Sequence, residues 1–187
     1  MSEDRQVSVG MGTASDAEQS LDAICDLYDD VFSAPPFLWP EGESVRHRES
    51  LHGLIRDSTF GFAWARASRT LIGFVYGVEL KAGTDWWEGF HQPIPAAFTE
   101  EWPGRTFAVI DLAVQRFRRR AGLGRELLDT LLHSRTEERA TLAVQPRAAD
   151  THAFYRAVGG WRLVGRQDTR EYESAQFDVY VRDLAKP

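Results

Sequence analysis

At 187 residues the chain is long enough for one domain with a sizeable core. Its 43% hydrophobic and 27% charged residues are ordinary for a globular protein, and no stretch approaches eighteen consecutive apolar residues. A net charge of −6 disfavours general nucleic-acid binding, and the lone Cys25 excludes an internal disulfide framework and a cysteine-rich zinc site.

The first residues carry no apolar secretory region, so a cytoplasmic location is expected. Residues 6–11 read as a strand. Ser15-x-x-Glu18 has the form of a capping box and predicts a helix start. Leu21, Ile24, Leu27, Tyr28, Val31 and Phe32 then recur on one helical face, with Cys25 among them, until Pro35-Pro36 stops the helix. Phe37-Leu38-Trp39-Pro40 is an apolar loop. A weaker helix is expected over residues 43–56, with Val45, Leu51, Leu54 and Ile55 inward. Residues 60–67 and 71–80 read as a hairpin around Ser68-Arg69-Thr70.

From 81 to 105 periodicity is lost, over a length unusual for a connection. The stretch holds Asp85, Trp86, Trp87, Glu88, Phe90, Glu100, Glu101 and Trp102. Long loops with aromatics often bind ligands, and the rings could equally pin the loop to the core. Phe107, Val109 and Leu112 to Val114 then have the character of a buried strand, and Leu123, Leu127, Leu128, Leu131 and Leu132 mark an amphipathic helix. Between them lie Arg116, Arg118, Arg119, Arg120, Gly122 and Gly124. A helix that starts at such a turn aims free N–H groups outward, which makes an anion site suited to phosphate. Residues 140–144 form the next strand, which a right-handed crossover would place parallel to the one before. Asp150 is a candidate N-cap for a short helix holding Phe154, Tyr155 and Val158, ended by Gly159-Gly160. Residues 161–166 and 175–181 close the fold as strands, with Phe177, Val179 and Val181 on one face. His47, His52, His91, His133 and His152 lack ligand spacing, so no metal site is expected.

Arg119-x-x-Gly122-x-Gly124, after a strand and at the head of a helix, resembles the GNAT superfamily of acyl-CoA-dependent N-acyltransferases, whose signature is Gln/Arg-x-x-Gly-x-Gly/Ala. Thr151-His152-Ala153-Phe154-Tyr155-Arg156 followed by Gly-Gly-Trp resembles that family's Ala-x-x-Phe/Leu-Tyr-x-x-x-Gly-Phe segment. Thr151 replaces the usual alanine, Ala148 stands where many members carry a cofactor-contacting asparagine, and Gly160-Trp161 comes one residue late. The likeness covers most of the chain, and the tryptophan-rich insertion resembles GNAT proteins of actinobacteria.

The resemblance implies a single α/β domain over residues 1–187, with a mixed, mostly antiparallel central sheet, a parallel βαβ unit and flanking helices. It implies acetyl-CoA as co-substrate and direct transfer of the acetyl group to a primary amine. Leu112, Ala113 and Val114 would offer backbone groups to pantetheine. Arg119, Arg120, Ala121, Gly122, Leu123, Gly124 and Arg125 would wrap the pyrophosphate, with Thr151 nearby. Tyr155 would be the general acid. Asp111 is the candidate base, through a water; its alternative is a structural bond, since a buried charge needs a partner. Glu79, Glu100 and Glu101 are fallback bases. Trp39, Trp86, Trp87 and Phe90, with Phe37, Asp85 and Glu88, would suit a cationic or aromatic amine, small or peptidic. No nucleic-acid or membrane partner is expected, and a homodimer is left open. Two other readings stand beside this one: a non-catalytic acyl-CoA sensor on the same fold, and a nucleic-acid module using the arginine run.

Overall fold

The computed structural model describes residues 7–170 and 172–184. Seven strands form one sheet in the order β1-β2-β3-β4-β5-β7-β6: β1 (Val7–Gly12), β2 (Gly61–Ala67), β3 (Thr70–Glu79), β4 (Thr106–Val114), β5 (Arg139–Val144), β6 (Arg162–Asp168) and β7 (Gln176–Asp183). Among the described residues only β4 and β5 run parallel, which is the mixed, mostly antiparallel α/β sheet with its βαβ unit. One face carries α5 (Leu123–His133), whose five leucines are all buried against β1 to β4. Each buried leucine contributes about 1.5–3 kcal/mol, so packing rather than helix propensity holds α5 in place. The other face carries α1 (Ala14–Gln19), α2 (Leu21–Phe32) and α3 (Glu43–Leu54). The long insert contributes a 3-10 turn at Asp85–Trp87 and α4 (Ala96–Thr99), and α6 (Ala149–Val158) follows β5.

The sequence expectations fail at four helix positions, each for a local reason. The capping box is Thr13 with Asp16, not Ser15 with Glu18. Thr13 has the extended backbone an N-cap needs, its hydroxyl accepts from the Asp16 N–H at 3.1 Å, and the Asp16 carboxylate accepts from the Thr13 N–H at 2.8 Å. The helix also breaks at Ser20, giving α1 and α2. Val45 is not inward but 60% exposed, because the inward stripe of α3 is Glu43, His47 and Leu51 at i, i+4 and i+8. Asp150 does not cap α6. Ala148 holds that position without a side-chain bond, and Asp150 sits in the first turn, 3.8 Å from the Arg120 guanidinium. The first residue of the expected strand at 6–11 lies outside the described residues.

Two irregularities in β4 decide which way its residues face. The pairing with β5 lasts only from Thr106↔Arg139 to Ala108↔Thr141, after which β4 continues along β3 while β5 continues along β7. The two strands therefore splay, and residues Val109 to Val114 border an open edge. The second irregularity is a bulge. Tyr76 pairs with Asp111 but the next residue, Gly77, pairs with Val109, so Ile110 is supernumerary. Gly77 is required here: a Cβ on it would stand 2.1 Å from the Ala108 carbonyl oxygen. The bulge reverses the alternation of β4. Phe107 and Val109 face α5 before it, and Leu112 and Val114 face α5 after it, so Asp111 and Ala113 turn toward α2 and α3.

Candidate active site

The turn ahead of α5 is built for an anion. Arg116–Arg118 form one 3-10 turn, Arg120 and Gly122 both have positive φ (63° and 82°), and the backbone then enters the helix. Among the described residues the N–H groups of Arg120 to Arg125 meet no acceptor, whereas the Arg118 N–H donates to the Gln115 carbonyl at 2.8 Å and the Arg119 N–H, weakly, to the Arg116 carbonyl at 3.4 Å. Arg119 Nε donates to the Val114 carbonyl at 3.0 Å and so ties the turn to the strand end. Burial and Arg116 lower the Arg119 pKa from its usual value, but a guanidinium keeps its charge. Gly124 packs on the Phe154 ring, where a Cβ would stand at 3.4 Å.

The splayed edge leads from this turn toward Asp111. The Gln115 N–H bonds the Ile72 carbonyl, so by antiparallel alternation Ala113 also spends its backbone groups on β3. Leu112 turns both of its groups to the open edge and Val114 its N–H, the Val114 carbonyl being held by Arg119, and of the three residues expected to meet pantetheine these two are placed to do so. Tyr155 is buried beside Phe154 and Trp161, in T-shaped contacts at 5.0 and 5.7 Å. Among the described residues its hydroxyl has no hydrogen-bond partner. Burial, then the charge of Asp111, pushes that hydroxyl well up, so it stays protonated.

Asp111 is the centre of an aromatic and acidic cluster that the sequence did not announce. The Tyr76 hydroxyl donates a very short hydrogen bond to its Oδ2, and His47 Nε2 lies 2.9 Å from the same hydroxyl. The His47 ring stacks on Tyr28 at 3.5 Å and 4°. The Tyr28 hydroxyl donates to Glu43 at 3.0 Å, and Trp39 lies 5.8 Å from the Tyr28 ring. Burial pushes Asp111 up to about 7; the Tyr76 bond works against this, and the charges of Glu173 and Glu43 add to it. Burial also pushes Glu173 up. His47 is driven down to about 4 by burial and by Arg48, so its imidazole is neutral and the 3.7 Å approach to Asp111 is not an ion pair. Among the described residues the one cation beside these carboxylates is Arg46, 2.6 Å from Glu43 and half exposed.

The insert is organised differently. Glu101 Oε1 accepts from Trp87 Nε1 at 2.8 Å, Thr106 Oγ1 at 2.8 Å and Arg139 Nη2 at 2.9 Å, all buried. Trp86 Nε1 donates to Thr141 Oγ1 at 3.2 Å, and Phe90 bridges to Gln167 on β6. Trp86, Trp87 and Phe90 thus brace the insert on β5, β6 and β7, while Trp39 alone of the expected acceptor residues joins Tyr28 in the cluster beside Asp111. Asp85 and Glu88 are exposed. Of the fallback bases, Glu101 has one oxygen committed to three donors, Glu79 accepts from the Gly104 N–H at 2.8 Å, and Glu100 is exposed on the insert. The missed residues Tyr28, Glu43, His47, Tyr76 and Glu173 left one trace: the Glu43, His47, Leu51 spacing, which sets polar groups on the core face of a helix.

These features fit acetyl-CoA: unpaired amides at a helix head, a free strand edge leading away from them, and a titratable group at the far end. The Ala148 side chain is buried and offers no polar atom, so the asparagine contact of many relatives has no counterpart. Residues 21–160 match the model of the Acetyltransferase (GNAT) family. No curated protein matches the sequence significantly. Solved structures do match in fold. The ribosomal-protein-S18-alanine N-acetyltransferase from Escherichia coli is 12% identical, covering 97% of this chain and 96% of that chain at a TM-score of 0.63. The PaiA N-acetyltransferase from Thermoplasma acidophilum, solved with coenzyme A, is 14% identical, covering 95% and 99% at 0.60. An aminoglycoside 6′-acetyltransferase of type Ii is 14% identical, covering 96% and 99% at 0.66. At such identities the likeness establishes the fold alone.

Proposed function

The chain belongs to the GNAT acetyltransferase family, which uses acetyl-CoA, and from that premise we propose that it transfers the acetyl group directly to a primary amine, with Asp111 as base. The observation that carries this reading is the placement of Asp111: a carboxylate with proton affinity near neutrality, hydrogen-bonded to Tyr76, at the end of the open edge of β4.

Acetyl-CoA supplies an activated thioester. The amides of Arg120 to Arg125 hold its pyrophosphate, and the edge groups of Leu112 and Val114 align its pantetheine arm. Charge-assisted hydrogen bonds contribute about 1.5–3 kcal/mol each, against about 0.3–1 kcal/mol for the helix dipole. Holding thioester and amine together gives the greater part of the acceleration, with effective molarities of about 10⁵–10⁸ M. An ammonium group has no lone pair, so the acceptor must lose a proton before attack, and Asp111 takes it, directly or through a water. A base near the working pH contributes about 10²–10⁴-fold. Tyr155 keeps its proton and faces the leaving sulfur as a hydrogen-bond donor. Complete proton transfer to a thiolate of pKa about 8.5 runs uphill from so raised a phenol, so donation precedes any transfer.

The acceptor enters beside Trp39 and Tyr28, where Asp111, Glu43 and Glu173 outnumber Arg46. A cationic amine fits this surface. The acetyl-CoA reading is tested by calorimetric titration, and the transfer by coenzyme A release over a panel of primary amines. Release with a cationic amine that Asp111→Asn abolishes supports it. Tight acetyl-CoA binding with no release from any amine would instead favour a sensor on the same fold.

A further inference from the structure

The reaction proposed above needs Asp111 and gives no part to His47, yet His47 is the more deeply buried of the two. It is 5% exposed, stacked face to face on Tyr28, and its Nδ1 is buried without a partner among the described residues. A buried imidazole so placed has two tautomers to choose from. With the proton on Nδ1, that N–H would be an orphaned buried donor. With the proton on Nε2, the N–H reaches the Tyr76 oxygen at 2.9 Å and only a lone pair is left unmet, which costs less.

The Tyr76 hydroxyl has one proton, and it goes to Asp111 Oδ2. Its oxygen is then free to accept from His47. The three groups line up as a one-way chain of donors from His47 Nε2–H through the Tyr76 oxygen and proton to the Asp111 carboxylate. Each bond in such a chain polarises the next. We propose that His47 is a positioning residue that acts through Tyr76: its Nε2–H locks the phenol rotor toward Asp111 and strengthens that bond, which sets how readily Asp111 takes a proton from the acceptor.

The other groups facing Asp111 do not duplicate this. From α2 comes Tyr28, from α3 Glu43, from the loop between β6 and β7 Glu173, and from α6 Tyr155. Glu43 and Glu173 raise its proton affinity by charge. The Tyr76 hydroxyl is the group that favours the carboxylate form. His47 reinforces that single favourable contact. This rests on the reading of Asp111 as base, but it can fail separately.

The test needs no acceptor. Aspartate carboxyl ¹³C resonances are followed from pH 4 to 10 in the ligand-free protein, with the Asp111 signal assigned by its loss in Asp111→Asn. In the wild type a midpoint near 7 is expected. Tyr76→Phe moves it up by about one pH unit or more, the equivalent of one charge-assisted bond. His47→Phe keeps the stacked ring shape but removes the donor, and raises the midpoint by about half a pH unit. His47→Gln restores an N–H at the Nε2 position and brings the midpoint back. Imidazole ¹⁵N shifts give the second reading: His47 is neutral with its proton on Nε2 from pH 6 to 9, and becomes a tautomer mixture in Tyr76→Phe. Coincident midpoints in wild type, His47→Phe and His47→Gln would overturn the proposal, as would a proton on Nδ1. If instead Asp111→Asn retained full acetyl transfer, the base assignment would fall, whatever His47 does to the titration.

Discussion

Glu101 and Asp111 both sit among aromatic rings, and the fold treats them oppositely. At the foot of the insert, Glu101 receives three donors on one oxygen, including the Arg139 guanidinium, which itself lies 4.5 Å from the Phe98 ring and 5.1 Å from Trp87. In the splay between β4 and β5, Asp111 meets a phenol, a neutral imidazole and two further carboxylates, and among the described residues no cation touches it. The first arrangement neutralises its charge and holds an irregular segment to the sheet. The second leaves a charge that the fold tolerates poorly, which is what a proton acceptor needs. What separates brace from base is the presence of an arginine, more than depth of burial or aromatic company.

The sharpest way to break this contrast is Asp111→Asn. Turnover should fall about 10²–10⁴-fold, measured as coenzyme A release at saturating amine. The same change should stabilise the fold at alkaline pH. The folded pKa of Asp111 lies above its ordinary 3.8, so the protonated form fits the structure, and stability is lost as pH rises through about 7. Over that interval the loss is on the order of 4 kcal/mol at the upper limit. Urea melts should therefore show Asn ahead of wild type at pH 8 and the two converging near pH 4. Wild-type activity should climb as pH rises through 7 for the same reason.

Glu101→Ala should behave as the mirror image. Stranding Arg139 among rings costs about 3–5 kcal/mol, visible as a drop in melting temperature, while the pH profile of the folded fraction keeps its midpoint. A shift of that midpoint would tie the brace to the chemistry and dissolve the contrast. Tyr155→Phe comes next, with turnover down about tenfold or more and acetyl-CoA affinity barely moved, since a hydrogen bond to the leaving sulfur matters only as the thioester breaks. Smallest are changes in the anion turn. Gly122→Ala forces a side chain to φ 82°, at a cost of about 1–2 kcal/mol, and should weaken acetyl-CoA binding several-fold by calorimetry. The exposed Arg118→Ala should cost less, about 0.3–1 kcal/mol.

Much of this architecture could be read from the residues. Apolar periodicity located the strands and the leucine face of α5, because one side of each is buried and the pattern has to show it. The arginine and glycine turn was visible because glycine takes the φ of 82° at Gly122 without strain and because helix heads attract anions. The acceptor side was obscured for two physical reasons. In α3 the inward residues are Glu43 and His47, so a search for apolar periodicity settles on Val45 instead. In β4 every residue from Phe107 to Val114 except Asp111 is apolar, since both faces are covered, and an extra residue in such a run leaves no mark on the pattern. The insert misled through composition: tryptophans that would suit a ligand are as well suited to holding a segment with little regular structure, and the bonds from Trp87 to Glu101 and from Trp86 to Thr141 tell the two apart.

The supernumerary Ile110 makes the position of the reactive group a matter of counting. Upstream and downstream halves of β4 are in opposite phase, and Gly77 is the notch that lets them be joined. Deleting Ile110 would only straighten the strand: Asp111 would follow Val109 directly and keep its place opposite Tyr76, on the side of α2 and α3. The strand should therefore forgive exchange of one aliphatic residue for another, and even the loss of Ile110, but not a further residue paired regularly between Val109 and Asp111, which would put the carboxylate in the phase of Leu112, beneath α5.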